Sequence, residues 1–349
     1  MILPFGDPVL SLSKCRDVIN YMLDNGRILR ADQLETTVTD IDWDILNDCY
    51  VFDADILHIW QTRYAPLPEP LRALTIDYYD RKTRLKGVDG EQLQYDLSKA
   101  LLNSIYGMMA YNPCKPDLFF DGAEFEVMPL DIQGKLDANL NRAFLVYAWG
   151  VWVTAWARLR LYEGIKIAGA GFVYCDTDSV KYLGDADFSA YNKQRITDST
   201  YNGAYATDPA GITHYMGVFE DEKPYDQFRT WGAKKYAFDQ AGHLGIAVAG
   251  VGKNKGAIEL SEKGGLKEFK PEFVFKAAGG LEAVYNDNVD FTITYQGHEI
   301  HIVDNVYLRP STYKLGVTLE YDILLHDASS MDYIMADFIQ ETNFINEGD

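Results

Sequence analysis

The sequence predicts an α+β fold of short antiparallel hairpins and amphipathic helices. Two observations carry that expectation. Strand-like runs meet at tight turns around 176–178, 240–243 and 296–297, and apolar residues recur at helical spacing in 91–109, 147–158 and 331–339. At 349 residues the chain can bury a sizeable core and hold two or three subdomains.

The formal net charge of −20 argues against a generally phosphate-binding surface, because nucleic-acid recognition leaves a basic footprint. Positive charge is local instead. It gathers at Arg81, Lys82, Arg84 and Lys86 and at Lys253, Lys255, Lys263, Lys267 and Lys270, whereas 31–57 holds eight acids and no Lys or Arg. No Lys or Arg follows Lys314, so the last stretch is expected to be solvated or to face a protein partner. No apolar run approaches the roughly 20 residues that span a bilayer, and the first residues lack a signal peptide's basic start. A cytoplasmic protein without membrane association is expected. Cys15, Cys49, Cys114 and Cys175 form no C-x-x-C pair, which implies reduced thiols and neither a zinc site nor a disulfide framework.

Taken in order, Leu3-Pro4-Phe5-Gly6-Asp7-Pro8 reads as loop. Residues 42–79 mix helical spacing with a break at Pro66, Pro68 and Pro70, and the pattern resumes at Leu71. In the helix expected at 91–109, steps of about 100° bring Lys99, Asn103 and Tyr106 to one narrow face and turn Leu97 and Leu101 elsewhere. Alone, that face reads first as a surface lysine beside an amphipathic core tyrosine. Residues 113–141 are acidic and turn-rich. Trp149, Trp152 and Trp156 form a helical stripe that is expected to be core. Thr154 and Arg158, four apart, are neighbours on that helix, and the arginine fork suits a phosphate or a carboxylate.

Next come Phe172 and Val173, then Tyr174-Cys175-Asp176-Thr177-Asp178-Ser179, then Val180, Tyr182 and Leu183: a strand, a tight turn and a second strand. In extended chain, residues two apart project to the same side, so Asp176 and Asp178 are expected to face one cation site. Hard carboxylate oxygens suit magnesium or manganese, and two like charges beside an apolar strand call for an offsetting cation. A bare D-x-D reads first as a solvated hairpin tip. Residues 185–208 read as a polar loop. A second hairpin covers 231–238 and 244–249, with Lys234 and Tyr236 on one strand face. At 252–256, Lys253 and Lys255 sit among glycines, where backbone amides and ammonium groups can meet phosphates. Residues 291–295 and 298–303 alternate as a further hairpin, and Met331, Ile334, Met335, Phe338 and Ile339 mark one stripe of a terminal helix.

The 174–179 stretch resembles the YxDTDS motif of family B DNA polymerases. Lys99-Ala100-Leu101-Leu102-Asn103-Ser104-Ile105-Tyr106-Gly107 resembles their K-x-x-x-N-S-x-Y-G motif, in the right order along the chain. Residues 3–8 resemble the L-P-Y-G-x-P segment of protein-primed phage members, Thr154-Ala155-Trp156-Ala157-Arg158 their T-x-x-A-R motif, and Lys234-Lys235-Tyr236 their K-x-Y motif. The resemblance runs from Leu3 to about Gly256. It implies part of a right-hand polymerase with an antiparallel palm sheet, helical fingers and a small thumb. The corresponding division is a palm-proximal segment at 1–75, fingers at 76–112, a hairpin insertion at 113–146, palm at 147–250, thumb at 251–325 and an acidic C-terminal helix or tail at 326–349.

By the same resemblance, Asp176 and Asp178 hold magnesium or manganese, two ions in the complete site. Lys99, Asn103, Tyr106 and Gly107 receive the incoming deoxynucleoside triphosphate, and Thr154, Arg158, Lys234, Tyr236, Lys253 and Lys255 contact primer and template DNA. One departure is Tyr95, where some protein-primed relatives carry another lysine. The family's first palm motif, D-x-x-S-L-Y-P, is not found. Asp53-Ala54-Asp55 lacks its continuation and follows the 3–8 segment instead of preceding it. The proofreading exonuclease domain is also not found, so the expectation is a C-terminal part that is inactive without a partner polypeptide carrying exonuclease and first motif. A terminal protein is a further implied partner. The alternative is a non-catalytic subunit that binds DNA or a replication protein. A reverse transcriptase-like palm is disfavoured by D-T-D in place of adjacent aspartates.

Overall fold

The computed structural model describes residues 8–24, 26–63, 65–116, 118–120, 125–139, 144, 146–276, 278, 281–286, 291–295, 298–302 and 305–316. In chain order the elements are β1 (Cys15–Ile19), β2 (Met22–Asp24), β3 (Arg27–Arg30), β4 (Gln33–Thr36), α1 (Asp40–Cys49), α2 (Glu69–Leu85), α3 (Gln92–Met109), β5 (Leu118–Phe120), β6 (Phe125–Val127), α4 (Ile132–Asn139), α5 (Tyr147–Ala168), β7 (Phe172–Asp176) and β8 (Ser179–Tyr182). There follow α6 (Ser189–Asn202), β9 (Tyr205–Thr207), β10 (Thr213–Tyr215), β11 (Gln227–Thr230), β12 (Lys235–Gln240), β13 (His243–Val248), α7 (Lys253–Glu262), β14 (Val274–Phe275), β15 (Leu281–Asn286), β16 (Phe291–Tyr295), β17 (His298–Ile302), β18 (Asn305–Pro310) and β19 (Tyr313–Lys314). The chain is thus mixed α and β, and among the described residues its sheets are small and antiparallel. The terminal helix expected at 331–339 and the opening segment at 3–7 lie outside the described residues.

Two compact units form: Met1–Thr36 with Cys49–Phe52 and Asp221–Asp349, and Thr37–Asp48 with Asp53–Glu220. The boundary after Glu220 falls inside the 147–250 stretch expected to be one palm.

In the second unit, α1 begins at a reciprocal cap. The Thr39 hydroxyl donates to Asp42 Oδ2 at 2.9 Å, and the Asp42 amide donates back to Thr39 Oγ1 at 3.1 Å, so donors that a helix start leaves open are satisfied locally. The acids of α1 then tie down α5. Asp40 accepts from the Trp152 indole at 3.0 Å, Asp42 from the Arg158 guanidinium, and Asp48 from Lys166 at 2.7 Å. The acidic run legible at 31–57 is therefore partly spent inside the fold.

The tryptophan stripe of α5 is not core. Trp156 is 44% exposed and Trp149 and Trp152 are half-buried, whereas the buried positions are Gly150, Ala155, Gly164 and Ala168. Close approach explains this. A Cβ on Gly150 would meet Ala110 Cβ at 2.9 Å, and one on Gly164 would meet the Phe219 ring at 2.7 Å and Val180 Cγ2 at 3.1 Å. Only small residues let α5 lie this near to α3 and the β7–β8 hairpin, and the indoles are displaced to its flanks. Trp156 instead carries the Arg160 guanidinium at 5.3 Å from its ring centre.

Helix α2 starts behind Pro68, with a further proline in its first turn, and packs on α3. The stretch expected to be loop at 185–208 contains the 14-residue α6. Its packing face is Tyr191, Asn192, Arg195 and Ser199, which hides it from an apolar-period reading. Tyr191 packs on Phe219, Asn192 exchanges hydrogen bonds with the Phe219 backbone, and Ser199 donates to Met216 O at 2.7 Å. Gly203 closes the helix at φ +67°, the left-handed conformation that glycine adopts without cost.

In the first unit, β11, β12 and β13 form a three-stranded sheet, and α7 packs on β13. Its core is Ala237, Ile246, Val248, Val251, Leu260, Phe269, Phe275 and Leu315. The β12–β13 turn falls at Ala241 and Gly242 as expected, both with positive φ, which suits the right-handed twist of a tight hairpin. Buried Tyr50 accepts from the Val9 and Leu10 amides and donates to Ile28 O at 2.7 Å, stitching the small strands of this unit together. The hairpin expected at 291–303 is present as β16 paired with β17, nested between β15 and β18 in the chain.

Candidate active site

The 174–179 stretch forms the hairpin its sequence implies, with Asp176 paired to Ser179 and Thr177 and Asp178 as the loop. Strand alternation does not set the two carboxylates, however. Thr177 has φ +56°, and the Asp178 amide donates to Asp176 O at 2.6 Å, which makes a three-residue turn of the rare positive-φ kind. A β-branched residue in left-handed backbone is strained by about 1–2 kcal/mol. The expectation of one strand face is corrected here: the reversal at Thr177 fixes where Asp178 points. Asp176 is half-buried and Asp178 exposed. Thr177 donates its hydroxyl to Asp176 Oδ1 at 3.0 Å and so orients the first carboxylate, and Ser179 donates to the Asp176 backbone carbonyl at 3.3 Å and so fastens the turn.

Helix α5 and Gly171 hold the hairpin in place. The Leu183 amide donates to Gly171 O at 2.8 Å, and a side chain at Gly171 would drive a Cβ to 2.3 Å from Leu183 O. Gly164 of α5 sits against Val180 of β8.

On α3 the inward stripe is Ser98 and Met109, with Tyr95, Leu102 and Ile105 half-buried. That leaves Lys99, Asn103, Tyr106 and Gly107 exposed on the opposite side, as their spacing requires. Gly107 is informative. A Cβ there meets nothing within 4 Å, so packing does not demand glycine in mid-helix, where it costs about 1 kcal/mol relative to alanine.

Lys82 of α2 is the residue that sequence reasoning left unassigned. Burial pushes its ammonium below the ordinary lysine value, as do the neighbouring charges of Lys99 and Lys86, while Asp178 and Glu220 oppose the shift. One electrostatic neighbourhood thus joins α2, α3 and the turn. The signal was present in the sequence: Arg81 and Arg84 have aspartates four residues earlier and pair with Asp77 and Asp80, but Lys82 has Tyr78 there and lies over the Tyr79 ring at 5.4 Å.

The T-x-x-A-R pair is engaged within the fold. Thr154 donates to Gly150 O and Val151 O of its own helix, and Arg158 forms a two-pronged pair with Asp42. Lys234 and Tyr236 belong to the first unit. They do not share a strand face, because Lys234 lies in the turn before β12 at φ +53°, and only Tyr236 is in the strand, packed near Phe228 and Phe238. Lys253 and Lys255 are exposed on the first turn of α7, while Gly256 is buried against Ile246, where a Cβ would sit 2.2 Å from Cδ1.

Over 115 residues the chain is 35% identical to the DNA polymerase of Bacillus phage PZA. That stretch relates it to a DNA polymerase. The aligned part covers 31% of this chain and 18% of that polymerase, so the chain spans less than a fifth of its relative's length. No protein-family model matches the chain. No solved structure matches it.

As donors, Asp176 and Asp178 fit a magnesium or manganese site, since magnesium is commonly held by one or two carboxylates plus substrate phosphates and water. Among the described residues no group of three or more His, Cys, Asp or Glu side chains is arranged to hold a metal. Among them, too, no helix is long and apolar enough to cross a membrane.

Proposed function

We propose that this chain is the fingers, palm and thumb portion of a protein-primed-type family B DNA polymerase that transfers deoxynucleotides to a primer. The observation that carries the reading is the strained Asp176-Thr177-Asp178 turn, held in one electrostatic neighbourhood with Lys82 and Lys99. Strain of this kind gathers at functional sites, where surrounding structure compensates for it.

In the reaction, the primer 3′ oxygen forms a bond to the α-phosphorus, the bond to the bridging oxygen of the departing pyrophosphate breaks, and the hydroxyl proton passes to solvent. Magnesium or manganese at Asp176 and Asp178 would lower the hydroxyl's hold on its proton and offset charge on the leaving group. Lys99, supported by Lys82, neutralises the triphosphate, Asn103 orients the incoming nucleotide, Tyr106 stacks on its sugar and base, and Gly107 lets it approach the helix. Lys234 and Tyr236 act on the primer terminus, and Lys253 and Lys255 on duplex phosphates. Thr154 and Arg158 reach the primer only by releasing the bonds they make here. A third carboxylate comes from a partner polypeptide carrying the first palm motif and an exonuclease, and a terminal protein offers the priming hydroxyl.

The α3 face lies wholly in this chain, so nucleotide binding tests the reading without a partner. Titration of a deoxynucleoside triphosphate with magnesium is expected to show saturable binding that Lys99→Ala weakens at least tenfold. Binding unaffected by Lys99→Ala and Tyr106→Ala would contradict it. A non-catalytic DNA- or protein-binding subunit is the second reading, favoured by the net charge and by Arg158 being occupied with Asp42.

A further inference from the structure

A relay of charged side chains leads from the β9–β10 hairpin toward Lys82, all within the second unit. Asp208, just after β9, uses both of its oxygens there. Its Oδ1 accepts from the Ala210 and Ile212 amides, each at 2.9 Å, and its Oδ2 faces His214 Nε2 of β10 at 3.1 Å. The other ring nitrogen, Nδ1, meets Glu220 Oε1 at 2.5 Å. The side chains of Asp208 and His214 are 17% and 20% exposed, whereas that of Glu220 is 53% exposed. A glutamate so exposed samples many rotamers on its own. Here a braced imidazole fixes where its charge lies.

Helix α2 packs on β9, and Tyr79 and Lys82, three apart on that helix, both lie in the field of Glu220. Lys82 is the group that needs it. Burial and the like charges of Lys99 and Lys86 disfavour its ammonium, and Asp178 and Glu220 favour it. A divalent cation at Asp178 offsets the first of these acids. Glu220 is then the acid left to compensate Lys82.

We propose that Glu220, braced by His214, is a positioning residue that keeps the Lys82 ammonium turned to the triphosphate of an incoming nucleotide. The inference rests on the polymerase reading given above. It carries a pH signature. The bonds to Asp208 and Glu220 raise the imidazole above its ordinary value, and only a charged ring can donate to both acids at once. Arg195 of α6, the helix packed on β10, pairs with Asp198. Glu220 is therefore held firmly below the folded histidine value and released as pH rises through it.

The test is titration of the full chain with a deoxynucleoside triphosphate and magnesium from about pH 6 to 9, with inorganic tripolyphosphate as a second probe. Wild-type affinity is expected to fall several-fold on the alkaline side. Glu220→Gln, isosteric and at an exposed position, and His214→Asn should each bind about tenfold more weakly at the acid end and depend little on pH. Lys82→Arg, charged throughout, should keep the wild-type profile. A merely structural role would weaken binding equally at every pH. Undiminished binding by Glu220→Gln at the acid end, or a pH dependence that persists in His214→Asn, would overturn the inference. So would a dependence that disappears in Lys82→Arg, which assigns the titration to Lys82 itself. Failure of the two ideas is distinguishable. Nucleotide binding that depends on Lys99 and Tyr106 but not on Glu220 removes the inference and leaves the polymerase reading. Tripolyphosphate binding that depends on Glu220, with no added affinity for the nucleotide and no effect of Tyr106→Ala, does the reverse. No binding of either probe removes both.

Discussion

Arg158 donates to Asp42 through two prongs, Nε to Oδ1 and Nη2 to Oδ2, each at 2.7 Å. The same carboxylate caps α1 through Thr39, so one side chain starts a helix and anchors α5 at once. Half the arginine is in water, which screens the pair, and Arg158→Ala is expected to cost about 1 kcal/mol. Asp42→Ala loses the cap as well and should cost about 2 kcal/mol, measurable by denaturant unfolding. Burial raises the Asp42 carboxyl, but its bonds from Arg158 and Thr39 outweigh that and hold it below the ordinary value. Its contribution is therefore present above the usual aspartate value of about 3.9 and lost as pH falls through the lower folded value. Asp42→Asn should flatten the acid side of the stability profile.

Thr177→Gly should separate stability from activity. Glycine accepts φ +56° without the steric cost that threonine bears, so the folded protein is expected to hold its stability or gain about 1 kcal/mol. The hydroxyl that orients Asp176 is lost at the same time, and the turn is freed. Extension by the completed enzyme should fall at least tenfold, read as kcat with little change in KM.

Gly107→Ala reads the α3 face. Replacing an exposed mid-helix glycine whose Cβ meets nothing should stabilise the helix by about 0.5–1 kcal/mol. Affinity for a deoxynucleoside triphosphate should nevertheless drop if a ligand approaches there. Higher melting temperature with weaker nucleotide binding is the expected combination.

His214 gives a pH dependence on the alkaline side. Its Nε2 faces Asp208 Oδ2 at 3.1 Å and its Nδ1 faces Glu220 Oε1 at 2.5 Å, and these bonds, Asp208 first, raise the imidazole above its ordinary value. Both nitrogens can donate only when the ring is charged. The resulting stabilisation is complete below the unfolded histidine value of about 6.5 and is lost as pH rises through the higher folded value. Melting temperatures from pH 6 to 9 should fall in the wild type and stay flatter in His214→Asn.

Local signals read well where chemistry is local. The hairpins at 172–182 and 235–248 and the amphipathic α3 follow from alternation, turn residues and spacing alone. What failed depends on tertiary fit. The indoles of α5 look like core until Gly150 and Gly164 turn out to set how near its neighbours come. Helix α6 hid because it packs through Tyr191, Asn192 and Ser199. At the 174–179 hairpin and before β12, the presence of a turn was legible but backbone direction was not: positive φ at Thr177 and Lys234 broke the alternation that strand logic assumed, since neither is a glycine. The charges that surround Lys82, those of Lys99, Lys86, Asp178 and Glu220, depend on how α2, α3 and the turn come together.

The most direct measurement is primer extension with magnesium by three samples: this chain alone, this chain with the polypeptide carrying D-x-x-S-L-Y-P and exonuclease, and that pair with Asp178→Ala. Extension by the intact pair and its loss by at least a thousandfold with Asp178→Ala is the expected result, consistent with removal of a metal ligand. Extension undiminished by Asp178→Ala, or none by any mixture whose association is confirmed, would contradict a nucleotidyl-transfer site at the Asp176-Thr177-Asp178 turn.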